Sequence, residues 1–318
     1  MAHAEKMHRG GMRSRIHCAF PLTVAPRMSR YQNNNLLGIG LMLLATLLFA
    51  VMDALAKWLV SADVSAIQVI AIRSWMISLM IPLVLLLRGQ LRELRTAHPW
   101  RHLARGTIGF LAPASFFTAL VTLPLADASV VFFSAAFMLT AASALILGER
   151  VGIHRWSAVV IGFVGVVIAM RPTGSGGLLA YLLVLFAGLV YTMIFIWGKQ
   201  LSRRDSVISL VFSLHLGMGL VATLLLPWVW VPVTASMLLE LAVMAAIALG
   251  AHYAFAAAFV RAEVSVLAPF EYSMLLWTVA IGYLVWGDFP TRDVWIGAVL
   301  IVAAGIYVAH REALHRQR

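Results

Sequence analysis

"LGERVGIHRWSAVVIGFVGVVIA" (147–169) and "WGDFPTRDVWIGAVLIVAAGIYV" (286–308) are two versions of one pattern. Each sets a glycine beside an acid, Gly148-Glu149 and Gly287-Asp288, eight residues before a tryptophan, Trp156 and Trp295. Each then runs into an apolar stretch. A second echo lies upstream, where "LFAVMDALAKWL" parallels "LVYTMIFIWGKQL" and lays Lys57 on Lys199. The chain is built twice over.

The repeated unit is too greasy for water. The 318 residues are 62% hydrophobic and 12% charged, where soluble domains run about 45–50% apolar and about 25% charged. A spanning helix needs roughly 20 apolar residues. That length fits ten times, at about 36–60, 66–87, 103–123, 126–147, 153–170, 177–197, 207–229, 236–259, 264–286 and 292–309. The expected fold is all-α and polytopic. Five spans per unit is odd, so the second unit enters the bilayer upside down, the inverted-repeat plan of many secondary transporters. The boundaries read as a tail over 1–35, units over 36–171 and 177–310, and a tail over 311–318. The alternating ten-residue segments of an outer-membrane barrel are absent.

Charge sets the orientation. Of 24 Lys and Arg, Lys57 and Arg73 fall within spans and Arg171 and Arg292 in loops on one side; the other 20 fall on the opposite side. Basic loops stay in the cytoplasm, so both termini are expected there, in an inner (plasma) membrane. The net charge of +11 is therefore scattered over loops and does not mark a nucleic-acid stripe. The single cysteine, Cys18, excludes an internal disulfide and a cysteine-cluster metal site. Residues 1–27 carry no continuous apolar run like that of a secretory signal. They read as a disordered cytoplasmic tail, or as sequence ahead of a true start at Met28.

The quoted repeats, with "ADASVVFFSAAFMLTAASALILGER", "AEVSVLAPFEYSMLLWTVAIGYLVWGD", the lysine ending the first span and Arg73 early in the second, resemble the EamA-type family of the drug/metabolite transporter superfamily. The resemblance covers residues 36 to 310. It implies a five-plus-five inverted repeat around a central cavity and movement of a small organic solute. Such proteins often carry a proline midway along the fourth span. "FFSAAFM" has none, whereas Ala268-Pro269 keeps one in the ninth, so a helix break is expected in the second unit.

Ionisable residues inside lipid cost about 2.5–3.5 kcal/mol each on insertion scales and should face a partner or a wet cavity. Asp53 and Lys57 share a helix face. At about 1.5 Å per residue, Asp53 and Arg73 lie roughly 10 Å below the outer surface and can pair. Lys57, shallower, can snorkel outward. Glu271, His215 and His252 lie roughly 10–12 Å in from the cytoplasmic side. One polar layer is thus expected near each face, with Arg73 superposing on His215. Asp53–Arg73 reads as a structural clamp or as a site, and His215 as a packing histidine or a ligand. Glu271 follows Pro269, which removes a helix hydrogen bond, and with His252 it is the leading candidate for binding substrate or a coupling proton. Tyr272 and Tyr253 adjoin this proposed pair, and Trp277 lies nearby. Gly162/Gly165 and Gly217/Gly219 read as close helix contacts, and Gly148-Glu149 and Gly287-Asp288 as loop-fixing or capping groups.

No G-x-x-x-x-G-K-[ST] loop occurs, so the driving force is a gradient. The expected function is secondary transport, by efflux or exchange, of an amino-acid-like or other carboxylate-bearing solute, without cofactor or metal. The alternatives are a facilitating channel and, more remotely, an intramembrane metalloenzyme using His215, His252 and Glu271. A monomer suffices; a homodimer is compatible.

Overall fold

The structure, a computed structural model, describes residues 34–147, 152–170, 177–202, 205–262 and 264–316. The tail over 1–27, Gly148-Glu149 and Arg171 lie outside the described residues. Thirteen α-helices follow in chain order: α1 (Asn35–Ser61), α2 (Ala66–Leu87), α3 (Pro99–Gly109), α4 (Leu111–Ala119), α5 (Leu125–Phe132), α6 (Ser134–Leu147), α7 (Ile153–Met170), α8 (Leu178–Leu201), α9 (Val207–Leu225), α10 (Ala235–Arg261), α11 (Val264–Glu271), α12 (Ser273–Trp286) and α13 (Arg292–Arg316). They trace the ten expected spans, because α3–α4, α5–α6 and α11–α12 are single passages broken by one residue. Among the described residues nine stretches are long and apolar enough to cross a bilayer. The remaining passage, α3–α4, carries Arg101, His102 and Arg105 in its first half.

The packing respects the inversion, under which each span exchanges with the one five later. The first span packs on the eighth (α1 on α10), and the sixth packs on the third (α8 on α4). The second packs on the seventh (α2 on α9) and the fifth on the tenth (α7 on α13), pairs that the inversion maps onto themselves. Small residues allow the closest approaches. A Cβ on Gly106 would lie 2.9 Å from the Gly217 Cα, so only glycine fits where α3 crosses α9. Gly165 and Gly297 do the same for α7 and α13. In lipid, where apolar side chains gain little by leaving the solvent, such backbone proximity supplies much of the attraction.

The expected break in the second unit is present, and the first unit has one as well. The fourth span breaks at Phe133 (φ −62°, ψ −12°) and the ninth at Tyr272 (φ −68°, ψ −10°). Each break closes with the same short bond three residues on: Ala136 N–H donates to the Phe133 carbonyl at 3.2 Å, and Leu275 N–H to the Tyr272 carbonyl at 3.0 Å. Pro269 is not the common cause, since the fourth span breaks without a proline. The two break residues meet instead, Phe133 and Tyr272 stacking at 5.2 Å between ring centres.

Candidate functional site

The polar residues inside the bundle fall into three groups. The first is at the end of α1. Lys57 is buried; its ammonium donates to the Leu123 carbonyl at 2.9 Å and to Asp288 Oδ2 at 3.2 Å, and lies 5.1 Å from the centre of the Trp286 ring. The expected outward snorkelling does not occur, because a carbonyl and a carboxylate already stand within reach. Gly287 positions the acid. It ends α12 in the left-handed region at φ 71°, and the Asp288 N–H reaches back to the Gly282 carbonyl at 3.2 Å, a reversal of the backbone that glycine permits.

The second group lies deeper. Asp53 and Arg73 are buried and interact electrostatically. They do not form the expected direct pair. Among the described residues the ion pairs within 4.0 Å are Lys57–Asp288 and His102–Asp205. Arg73 instead donates from Nη1 to the Met52 sulfur at 3.3 Å, lies over the Phe117 ring at 5.4 Å, and keeps a buried Nε–H without an acceptor. His215 and His252 face each other edge to face, 5.8 Å between ring centres, and both feel the Arg73 charge. His215 Nδ1 bonds the Val211 carbonyl at 2.9 Å. The two histidines of the expected inner layer therefore join the outer one. With roughly 30 Å of hydrocarbon, depths of about 10 Å and 12 Å leave only about 8 Å between them, which a guanidinium side chain spans.

The third group surrounds Glu271, at the end of α11 and one residue before the break. Its electrostatic neighbours are Tyr191 and Tyr272. Glu271 and His252 form no ion pair within 4.0 Å, and His252 packs on Phe49. Aromatic rings wall the carboxylate. Tyr191 meets Phe132 at 5.5 Å, Phe132 meets Phe116 at 5.2 Å, and Phe116 meets Phe117 beneath Arg73 at 6.3 Å. A continuous run of rings thus joins the acid to the guanidinium. Tyr272 is seated on Gly305, where an added Cβ would land on its hydroxyl. Trp277 keeps a buried indole N–H with no acceptor among the described residues. Tyr253 is 71% exposed and stands off the packed alanine face of α10, apart from this group.

Phe132, Phe133 and Gly305 were not sequence candidates, and neither was the pairing of Asp288 with Lys57. Chemically, a carboxylate with no cation within 4.0 Å among the described residues and an arginine with a spare donor, at opposite ends of an aromatic wall, can hold the two charged ends of a small solute. Among the described residues no three His, Cys, Asp or Glu converge in a metal-binding arrangement.

At the cytoplasmic edge expected from the loop charges, Asp205 joins the α8–α9 loop to α3. It accepts from Thr96 Oγ1 at 2.9 Å and the Ala97 N–H at 3.2 Å, and bonds His102 Nε2 at 2.7 Å. Burial by itself would raise the Asp205 pKa, but the bonds from His102, Thr96 and Ala97 hold it below the ordinary carboxylate value.

A family model described as "EamA-like transporter family" matches residues 36–171 and 178–309. The chain is similar to a riboflavin transporter of Rhizobium johnstonii, 27% identical with 87% of this chain and 92% of that protein covered. It is 24% identical to an S-adenosylmethionine uptake transporter of Rickettsia conorii, over 87% and 94%. It is 29% identical to the pseudopaline exporter of Pseudomonas aeruginosa, over 85% and 94%. A solved crystal structure shares the fold, with TM-score 0.59 and 20% identity over 87% of this chain and 97% of that one.

Proposed function

Because the chain belongs to the EamA-like transporter family, we propose that this multi-pass membrane protein is a gradient-driven carrier for an amino-acid-like, carboxylate-bearing metabolite, working by alternating access in the inner membrane with both termini cytoplasmic. One observation carries the reading. Glu271 has no cation within 4.0 Å among the described residues and sits where the broken helices of the two repeats touch. A carboxylate held in lipid needs a partner for its charge. The solute's ammonium or a coupling proton supplies it. The solute's carboxylate goes to Arg73, which has an unused donor and two histidines beside it, and its body lies along the rings between. Cations over aromatic faces gain about 0.5–2 kcal/mol, so the walls favour the ammonium end.

The relatives named above are, by their names, transporters of riboflavin, S-adenosylmethionine and pseudopaline, and include both an uptake protein and an exporter. For this chain the proposal is exchange or efflux. Counterflow in proteoliposomes tests it: vesicles preloaded with one amino-acid-like metabolite should accelerate entry of the same labelled compound. Entry that neither saturates nor responds to the preload would make the protein a channel.

A further inference from the structure

We propose that Lys57 and Asp288 form the outer gate of the transport cycle and that this structure holds that gate shut. The inference rests on the alternating-access reading above. Three segments meet at a single ammonium: the end of α1, the turn before α5 at Leu123, and the turn after α12 at Asp288. α1 belongs to the first repeat and Asp288 to the second, so the contact ties the two units across the end of the bundle expected to face outward. The Lys57 side chain is 9% exposed and the Asp288 side chain 35%. The Trp286 ring covers the ammonium on a further side. The seal is dry on the lysine side and wet on the acid side, as suits a contact that must open.

The inversion supplies the comparison. Lys199 superposes on Lys57 in the repeat, at the end of α8, toward the opposite face. Lys199 is exposed and forms no ion pair among the described residues. Equivalent lysines in one molecule thus differ, Lys57 buried and bonded and Lys199 exposed. A carrier that exposes its site to one side at a time requires such an asymmetry, and in the reverse conformation the two lysines exchange states.

The test uses the full chain with Cys18 replaced by serine, leaving only introduced thiols. Lys57→Cys with Asp288→Cys is bridged by a short reducible bis-methanethiosulfonate, whose spacer takes the place of the long lysine side chain. Counterflow should fall at least 10-fold on bridging and return with dithiothreitol. A second readout needs no transport. In inside-out vesicles, Lys199→Cys should react readily with a charged maleimide while Lys57 is intact. Adding Lys57→Met should slow that reaction at least 5-fold, as the molecule shifts toward its outward-open form. The charge swap Lys57→Asp/Asp288→Lys should recover the fast labelling that either single change loses. Full counterflow in the bridged protein, or Lys199→Cys labelling indifferent to Lys57, would overturn the gate. Absent counterflow in the unmodified protein with labelling that still follows Lys57 would overturn the carrier reading and leave the gate standing.

Discussion

Phe133 and Tyr272 occupy equivalent positions in the two repeats, break their helices with nearly the same backbone angles, and stack on each other at 5.2 Å. The break is therefore a feature of the repeat itself, and the pseudo-symmetry axis passes through an aromatic contact beside Glu271. Four predictions follow from this centre and from the segments that brace it.

Gly305 is the floor beneath Tyr272. A methyl there would lie 2.5 Å from the ring Cζ and closer still to the hydroxyl, and overpacking of this kind costs about 1–3 kcal/mol. Gly305→Ala should lower the unfolding temperature of the detergent-solubilised protein and slow counterflow. Tyr272→Phe, which removes the worst collision, should restore part of the thermal loss in the double variant. Equal unfolding temperatures for the wild type and Gly305→Ala would contradict this seat.

Glu271→Gln keeps the shape of the side chain and removes its charge. Charge-assisted contacts are worth about 1.5–3 kcal/mol, so counterflow should fall by about 10- to 100-fold. Whatever dependence on pH the wild type shows around neutrality should flatten with it. Retention of both rate and pH profile would remove Glu271 from the cycle.

Gln68, fully buried on α2, pairs with one backbone unit of the α9–α10 loop: its Nε2 donates to the Val231 carbonyl at 2.8 Å, and its Oε1 accepts the Val231 N–H at 2.9 Å. Gln68→Leu strands both groups of Val231, a loss of about 1–3 kcal/mol. A lower unfolding temperature, with faster proteolysis between α9 and α10, is the expected result, and an unchanged cleavage rate would count against the clamp.

Asp205 has a folded pKa below its ordinary value. Its contribution to stability is present above the unfolded carboxylate pKa of about 3.9 and is lost as pH falls through the lower, folded value. The difference in unfolding temperature between the wild type and Asp205→Asn should be constant from neutrality to mild acidity and shrink below about pH 4. A difference that grows on acidification would reverse the sign of this argument.

The ten passages were legible because hydropathy reports which stretches lipid tolerates, and "LGERV…" beside "WGDFP…" exposed the duplication. The breaks were not, because a change of some thirty degrees in one ψ leaves no mark in composition, and proline was the wrong signal for it. Depth was readable from residue counts, so Asp53, Arg73, His215 and His252 could be placed inside the bilayer. Which of them touch depends on how each helix is rotated about its axis. That rotation put Arg73 with the two histidines and left Glu271 with tyrosines. Lys57 and Asp288 are 231 residues apart; the order of the spans put both at ends facing the same side, but nothing in the sequence showed that they touch.

The hydroxyls of Thr46 and Ser273 bond at 2.7 Å where α1 meets α12. At the inverted crossing of α8 and α6 the corresponding residues are Gly188 and Ser134, whose buried hydroxyl finds no partner, and Thr192 holds that crossing through the Ala135 carbonyl at 3.2 Å. Duplicated architecture here is fastened by unlike chemistry. The two mirror-related shapes of the molecule therefore have no reason to be isoenergetic, and an unloaded population resting mainly on one side of the bilayer is what so uneven a pair of fastenings would produce.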